Sequence, residues 1–341
     1  MSESKDFDSA LTYTSYLAVD ELLKLQRPLS DGPEHDEMLF IIIHQSYELW
    51  FKQILFEVRS IHTIMSQPNI NDNSPELQKV NNRLQRCIEI MRVLVHKIDI
   101  LETMTALDFL DFRDMLRPAS GFQSTQFKEL EAMLGLKMER RHGQEYYTSQ
   151  LRPEDKAAIE NLSKHTTILE LMNQWLERMP FAEGEVSEGL VRDEFWSNYR
   201  NIYSHSLGEG EHGNVSAFES LFMTDANDEQ RVLSAKARRA GLFIFLYRDY
   251  PILQNPFRIM NQLLELDELL ANWRWRHMNM VHRMIGMRVG TGGSTGKGYL
   301  REAAFKHYVF AEFAELTSFL VERSKLPELT PSLKQALSFH A

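Results

Sequence analysis

The chain has 341 residues, of which 43% are hydrophobic and 25% charged, as expected for an ordinary soluble globular protein. Its 48 acidic and 38 basic side chains give a formal net charge of −10. With no basic cluster, this excludes nucleic acid and anionic membranes as main partners. No run of about 18 apolar residues occurs in the sequence, so a membrane span is not expected. The single cysteine, Cys87, excludes a disulfide framework and a cysteine-only zinc site, and it favours a cytoplasmic location.

Glycine and proline are scarce, at 16 and 11 residues, and apolar positions recur every three or four residues. That is the period of an α-helix, so the sequence predicts an all-α fold, a helical bundle. The run Phe40–Ile43 resembles a buried strand in isolation, but it continues at helical spacing and therefore favours a helix. In chain order, the expected helices cover residues 9–26, 34–66, 75–102, 105–116, 123–134, 154–179, 188–206, 228–249, 256–288 and 299–323.

The middle of the chain differs in composition from its flanks. Residues 137–250 are more polar than the sequence on either side, which indicates a small inserted helical sub-domain. Residues 1–136 and 251–341 would then form one helical core across the gap. The glycines between 208 and 213 predict a flexible acidic connection inside the inserted region.

The densest glycine cluster covers residues 290–298 and invites comparison with a phosphate-binding loop. Such a loop needs a glycine, four residues, and then Gly-Lys-Ser/Thr. The residue five before Gly296 is Thr291, and Lys297 is followed by Gly298, so the pattern fails and a nucleotide site is disfavoured. A flexible linker remains possible, as does a loop that orders over a ligand through its hydroxyl and N–H groups.

Two short patterns match fragments of metal sites. His35 and Glu37 have the spacing that opens a two-histidine, one-carboxylate iron site. Glu209 and His212 have the Glu-x-x-His spacing of a di-iron bundle. The first pair lies in a polar loop before a helix, and the second pair has no second copy. Chance matches are therefore the favoured interpretation of both.

Two histidines stand out because their helical neighbours are apolar. His277 shares one stripe of its helix with Trp273, and His44 lies at helical spacing from Phe40 and Tyr47. A lone buried histidine is most often a hydrogen-bonded core residue. For His277 the alternative is an axial ligand of haem iron, because a neutral imidazole is a good donor to iron.

An arginine is also found on an apolar helical face. Thr105 and Asp108 predict a capping box, and Phe109, Arg113 and Leu116 lie on one side of the helix that follows. An unpaired buried charge is costly, so Arg113 needs an anion. This is either an internal carboxylate or the carboxylate of a ligand. These residues predict a buried aromatic pocket with two histidines and one arginine.

Several separated segments of the sequence resemble the tryptophan 2,3-dioxygenase family in order and spacing, from residue 11 to about residue 320. Position 109 is Phe, as in the animal-type members of that family. The resembling segments are residues 11–17, 40–52, 112–113 with 118–124, and His277 with 290–294.

This resemblance implies an all-α haem protein that uses haem b, with ferrous iron in its active form. It implies cleavage of the indole C2–C3 bond of L-tryptophan with O2 to give N-formylkynurenine, the first step of tryptophan degradation by the kynurenine pathway. It also implies a homotetramer that is a dimer of dimers.

The resemblance also assigns roles to individual residues. His277 matches the iron ligand, His44 the distal histidine that binds the indole N–H, and Arg113 the arginine that pairs with the substrate carboxylate. Thr291 matches a loop threonine that contacts the substrate ammonium. Phe40, Phe109, Leu116, Ser120 and Gly121 match the pocket wall, Trp273 and Ser120 are expected beside the haem, and Tyr13 and Tyr16 match aromatics lent by a neighbouring subunit.

Three other functions remain open at this point. A haem monooxygenase acting on a substituted indole would lack the contacts to the amino-acid end of the substrate, yet Arg113 and Thr291 are both present. A non-catalytic haem-binding protein would need His277 alone. A helical scaffold would bind no haem and would be colourless.

Overall fold

The computed structural model describes residues 11–32, 34–70, 74–136, 151–162, 164–179, 185–187, 190–224, 231–290 and 307–338. Helices dominate these residues, which confirms the all-α prediction. None of the helices in these ranges is both long and apolar enough to span a membrane.

The α-helices are α1 (Tyr13–Leu17), α2 (Val19–Leu22), α3 (Asp36–Met65), α4 (Pro75–Leu101), α5 (Ala106–Arg113), α6 (Thr125–Leu134), α7 (Pro153–Leu162), α8 (Ile168–Leu176), α9 (Glu194–Ser206), α10 (Gly213–Phe218), α11 (Ala235–Leu246), α12 (Gln254–Ile285), α13 (Ala311–Glu315) and α14 (Pro331–Ala336). Short 3-10 turns cover Asp114–Leu116, Gly121–Gln123, Glu209–Glu211, Pro251–Leu253, Leu316–Phe319 and Arg323–Lys325, and a π-helical turn covers Glu219–Met223. Strands β1 (Glu185–Ser187) and β2 (Leu190–Arg192) form an antiparallel hairpin in which Val186 pairs with Val191.

Three long helices form the centre of the fold. Helix α4 packs along both α3 and α12. On α3, Ile43, Tyr47, Phe51 and Ile54 are buried at spacings of four, four and three residues, which places them on one face. The predicted boundaries of these three helices, 34–66, 75–102 and 256–288, agree with the structure to within three residues.

Helix α5 is short and lies against both α3 and α12. It begins at the predicted capping box, in which Thr105 and Asp108 each bind the backbone N–H of the other. It ends at Arg113 and continues as a 3-10 turn to Leu116. This position brings Phe109 and Arg113 between the two long helices that carry His44 and His277.

The prediction of one continuous helix over residues 154–179 is wrong. The chain forms two helices there, α7 and α8, and Thr167 caps the second one. The Thr167 side chain accepts a hydrogen bond from the N–H of Glu170, and the Glu170 carboxylate accepts one from the N–H of Thr167 at 2.8 Å. This Thr-x-x-Glu pattern is a helix start signal that the spacing of apolar residues had obscured.

Other predicted boundaries also need correction. Residues 190–192 form a strand, and α9 begins only at Glu194, capped by Asp193. Of the predicted helix 228–249, residues 228–230 lie outside the described residues, and α11 begins only at Ala235, because Glu312 accepts the backbone N–H groups of Val232 and Leu233.

Two terminal predictions are also too long. The predicted helix 9–26 consists, in its described part, of α1 and α2, which are separated by Ala18 at φ 50°. Of the predicted helix 299–323, the part up to residue 306 lies outside the described residues, and the rest is α13 followed by a 3-10 turn.

The connection predicted for residues 208–213 leads into a helix that sequence reasoning missed. Helix α10 begins at Gly213 and passes directly into the π-helical turn that ends at Met223. Its Phe218 and Phe222 are fully buried and belong to the same hydrophobic cluster as Trp175, Ile54 and Leu263. The proposed division into a core and an inserted sub-domain stays a prediction.

Candidate functional site

An aromatic cluster forms where α5 meets α3. The Phe40 ring stacks on Phe109 with centroids 5.7 Å apart, and it meets the edge of Phe112 at 5.6 Å. Its other neighbour is the imidazole of His44, one turn further along α3, at 4.1 Å. The side chains predicted for the pocket wall at positions 40 and 109 therefore stack on each other, and Phe40 also packs on His44.

The orientation of His44 is fixed by its own helix. Its Nδ1 lies 2.7 Å from the carbonyl oxygen of Phe40. A carbonyl oxygen can only accept, so Nδ1 carries a proton and donates it. Burial lowers the pKa of His44 below its ordinary value, although the hydrogen bond to Phe40 and the charge of Glu48 oppose this shift. At neutral pH the imidazole is therefore uncharged, and Nε2 is left as a hydrogen-bond acceptor.

His277 lies on α12, and burial lowers its pKa to about 4, with a further lowering from nearby His44. The two imidazoles are therefore close enough to influence each other electrostatically. No hydrogen bond contributes to the His277 pKa. The interpretation of His277 as a hydrogen-bonded core histidine thus finds no partner among the described residues.

Trp273, one turn before His277, lies parallel to it. The two rings are 5.2 Å apart at an angle of 7°. The indole packs against Phe127 of α6 at 4.8 Å and against the edges of Tyr47 and Phe51 at 6.0 Å each. Burial raises the pKa of Tyr47 to about 12, and a side-chain hydrogen bond with Trp273 opposes that rise.

Arg113, at the end of α5, is 5% exposed. Its guanidinium donates to the backbone carbonyl of Val289, the residue before Gly290. No Asp or Glu of the described chain forms an ion pair with it, so the internal carboxylate that could have explained a buried arginine is not found there. Most of its five N–H donors remain available to another anion.

These residues fit a haem group. His277 offers a neutral imidazole nitrogen without a competing hydrogen bond to a described residue, and Trp273 stacks beside it. In the described ranges, no three His, Cys, Asp or Glu side chains lie close enough together to hold a metal ion by themselves. Glu37 of the rejected His-x-Glu pattern instead accepts the backbone N–H groups of Leu29 and Ser30.

The remaining predicted wall residues lie just beyond α5. Leu116 packs on the hydrophobic core from its 3-10 turn. Ser120 caps the next 3-10 turn, where its Oγ accepts the N–H of Phe122 at 3.4 Å. A side chain added at Gly121 would meet no atom within 4 Å, so the space beside it is open. Thr291 lies outside the described residues.

Tyr13 and Tyr16 do not join this chain's cluster. They are 77% and 74% exposed, and neither α1 nor α2 buries a residue. Nothing in the described part of the same chain covers these two rings.

Sequence reasoning missed several residues of this region. Phe112 is fully buried and meets both Phe40 and Phe109 edge-on. Phe127 packs on Trp273, and Val289 receives the guanidinium of Arg113. Phe112 could have been found from its helical spacing to Phe109, whereas a contact between α6 and α12 or a backbone carbonyl leaves no signal in the sequence.

The family model described as tryptophan 2,3-dioxygenase matches residues 2–320. A tryptophan 2,3-dioxygenase of Dictyostelium discoideum is 39% identical over 99% of this chain and 92% of its own length. One of Bdellovibrio bacteriovorus is 38% identical over 96% of this chain and 98% of its own length. Tryptophan 2,3-dioxygenase A of Danio rerio is 38% identical over 96% and 87%. The chain therefore belongs to the tryptophan 2,3-dioxygenase family.

Proposed function

We propose that this protein cleaves the indole C2–C3 bond of L-tryptophan with O2 to give N-formylkynurenine, the first step of the kynurenine pathway. One observation supports this most strongly. A buried arginine without an acidic partner among the described residues lies one turn from Phe109, and Phe109 stacks on Phe40, which packs on a neutral histidine. In an amino acid with an indole side chain, the carboxylate would pair with the arginine, the indole ring would pack on the aromatic rings, and the indole N–H would bind the histidine.

The proposed cofactor is haem b, held through its iron by His277. Bound in its ferrous form, haem supplies the iron centre at which O2 is activated. Trp273 keeps the His277 imidazole in place by stacking on it. Ser120 is proposed to lie at the edge of the same group.

His44 is proposed to bind the substrate indole. Its Nδ1 is occupied by the Phe40 carbonyl, so Nε2 accepts the indole N–H. Phe40 and Phe109 hold the ring plane and exclude water, which fixes the orientation of the bond to be cleaved. His44 thus acts by positioning the ring.

Arg113 is proposed to pair with the substrate carboxylate through two parallel hydrogen bonds. Its existing bond to Val289 fixes one side of the guanidinium and leaves the other side for the ligand. Thr291 follows Val289 by two positions, and by resemblance to the family it contacts the substrate ammonium. The two residues together would recognise a zwitterion and reject an amine or an uncharged indole.

The proposed assembly is a cytoplasmic homotetramer in which Tyr13 and Tyr16 of one subunit enter the site of another. Their exposure supports this, as does an apolar stripe along the outside of α3. Its members are spaced four and seven residues apart, which places them on one face of the helix. The stripe consists of Met38, Ile42, Leu49 and Phe56, which are 40 to 68% exposed.

Substrate discrimination tests the proposal. Tryptamine lacks the carboxylate and leaves Arg113 unpaired, so its kcat/KM should fall at least about tenfold below that of L-tryptophan. Arg113→Ala should raise the KM for L-tryptophan and reduce the difference in kcat/KM between L-tryptophan and tryptamine. Arg113→Lys should not restore the wild-type preference for L-tryptophan, because an ammonium lacks the planar fork of a guanidinium.

Arg117→Lys is the matched control for these variants, since Arg117 is exposed and pairs with Asp114 on the surface. It should leave the preference for L-tryptophan unchanged. If the wild type oxidises tryptamine or plain indole as well as L-tryptophan, Arg113 is a structural residue, and monooxygenation of an indole becomes the better hypothesis.

A further inference from the structure

Residues 12–30, which include α1 and α2, form an N-terminal arm. Within the described chain, every hydrogen bond between the arm and the rest of the protein goes to α3. Large apolar side chains of the arm, such as Leu23 and Leu29, are exposed. Packing against its own subunit therefore does not fix the direction of the arm, and the polar contacts to α3 must do so.

The first contact is a carboxylate clamp. Glu37, in the first turn of α3, is 1% exposed. It accepts the backbone N–H of Leu29 at 2.6 Å and that of Ser30 at 2.9 Å, together with the Ser30 hydroxyl. Two backbone donors and one hydroxyl on a single buried carboxylate hold the base of the arm in one orientation.

The second contact is a pair of amides. The Gln26 amide donates to Oε1 of Gln45 at 2.6 Å, and the Gln45 amide donates to the carbonyl of Leu25 at 3.1 Å. These bonds fix the arm two turns of α3 further on than the Glu37 clamp. With two separate attachment points, residues 25–30 at the base of the arm are held in one orientation on α3.

Both attachment points lie on the helix that carries the substrate contacts. Glu37 and His44 are seven residues apart, which is two helical turns or about 10 Å along the axis, so they lie on the same side of α3. Gln45 is the next residue after His44. The base of the arm is therefore attached to the same helix that carries the distal histidine.

We propose that Glu37 and Gln45 are positioning residues that aim the arm of one subunit into the catalytic site of a second copy of this chain. The inference rests on the proposed function, in which Tyr13 and Tyr16 complete a neighbour's site. The clamp acts in trans: its loss leaves the subunit's own site intact and impairs the site that receives the arm.

Glu37→Gln tests this in the haem-loaded full-length protein. An amide cannot accept both N–H groups as strongly as a carboxylate, so the KM for L-tryptophan should rise about tenfold, the factor that corresponds to one charge-assisted hydrogen bond. The haem content and kcat should change little. Gln45→Leu should have the same effect, and it carries the test if Glu37→Gln does not fold.

Asp36→Asn is the matched control. It removes the same charge from the same helical turn, but Asp36 makes no hydrogen bond to the arm. It should keep the wild-type KM. An equal rise in KM for Asp36→Asn and Glu37→Gln would overturn the proposal, because the effect would then come from charge at the start of α3.

Mixed assemblies distinguish action in trans from action within one subunit. The Glu37→Gln chain and an Arg113→Ala chain are co-expressed with two different affinity tags, and assemblies that contain both chains are purified. In these assemblies the Glu37→Gln chain supplies a competent site, and the Arg113→Ala chain supplies an intact arm to it. The low KM should return for those sites. If the mixed assemblies keep the high KM of Glu37→Gln alone, the clamp acts in its own subunit and the proposal is wrong. Failure of the proposed function is distinguishable, because the wild type would then not oxidise L-tryptophan at all.

Discussion

His277 is the proposed iron ligand, so the proposed chemistry of the site depends on it. A neutral imidazole without a hydrogen bond to any described residue is an unfavourable arrangement unless a ligand completes it. We expect His277→Ala to lose most bound haem, measured as haem per chain after purification. His282→Ala, on the exposed last turn of the same helix, is the control and should retain haem. A normal haem content in His277→Ala would contradict the assignment of the iron ligand.

His44 gives a prediction on pH dependence. It can accept the indole N–H only when it is neutral, and burial lowers its pKa below the ordinary value of 6.5. The neutral form therefore dominates above pH 6.5, and kcat/KM for L-tryptophan should decline only as the pH falls below that value. His44→Ala should keep its haem, lose about two- to tenfold in kcat/KM and lack this acid limb. An acid limb unchanged in His44→Ala would assign the titration to another group.

At the residue scale, the sequence predicted which side chains matter most, but not their tautomers or their hydrogen-bond partners. His44, Arg113 and His277 stand out because a polar side chain among apolar neighbours needs a reason. The tautomer of His44 depends on a backbone carbonyl, and the partner of Arg113 is the carbonyl of Val289. Backbone carbonyls are present at every position, so no sequence pattern could have pointed to these two.

At the scale of elements, the end of α6 is a sensitive point, because this helix carries the Phe127 that packs on Trp273. Gly135 ends α6 at φ 140°, and a Cβ there would lie 3.0 Å from Cβ of Leu169 and 3.1 Å from Cγ1 of Val309. Gly135→Ala should therefore lower the free energy of unfolding by about 1–3 kcal/mol. A lower thermal midpoint would show this.

Gly213→Ala is the matched control for that substitution. Gly213 begins α10, and an added Cβ would meet nothing within 4 Å. The variant should unfold at the wild-type temperature or slightly above it, because alanine is the better helix former. Equal midpoints for the two variants would show that Gly135 is not under conformational constraint.

Long helices were predicted well because their period is repeated over many turns. Helices α3, α4 and α12 each run for 27 or more residues. Short helices depend on caps and on tertiary contacts, and these decided the errors. Thr167 caps the start of a separate helix, α8, and Glu312 accepts two backbone N–H groups just before the start of α11. The first signal is local and could have been read, whereas the second comes from residues 80 positions away.

For the whole molecule, the all-α bundle followed from the helical period, and the family followed from motifs spread along the chain. The family resemblance assigned Tyr13 and Tyr16 to the site of a neighbouring subunit, but the attachment of the N-terminal arm to α3 could not be predicted from either source. The apolar residues of the arm recur at helical spacing, and only the structure shows that they remain exposed in the single chain.

We expect this protein to insert both atoms of O2 into L-tryptophan. The most direct test gives the ferrous haem-loaded protein L-tryptophan under 18O2 and determines the mass of the product at early times. We predict N-formylkynurenine that carries two heavy oxygen atoms. A product with one heavy atom, or an intact indole bearing a single added oxygen, would contradict the account and identify a monooxygenase.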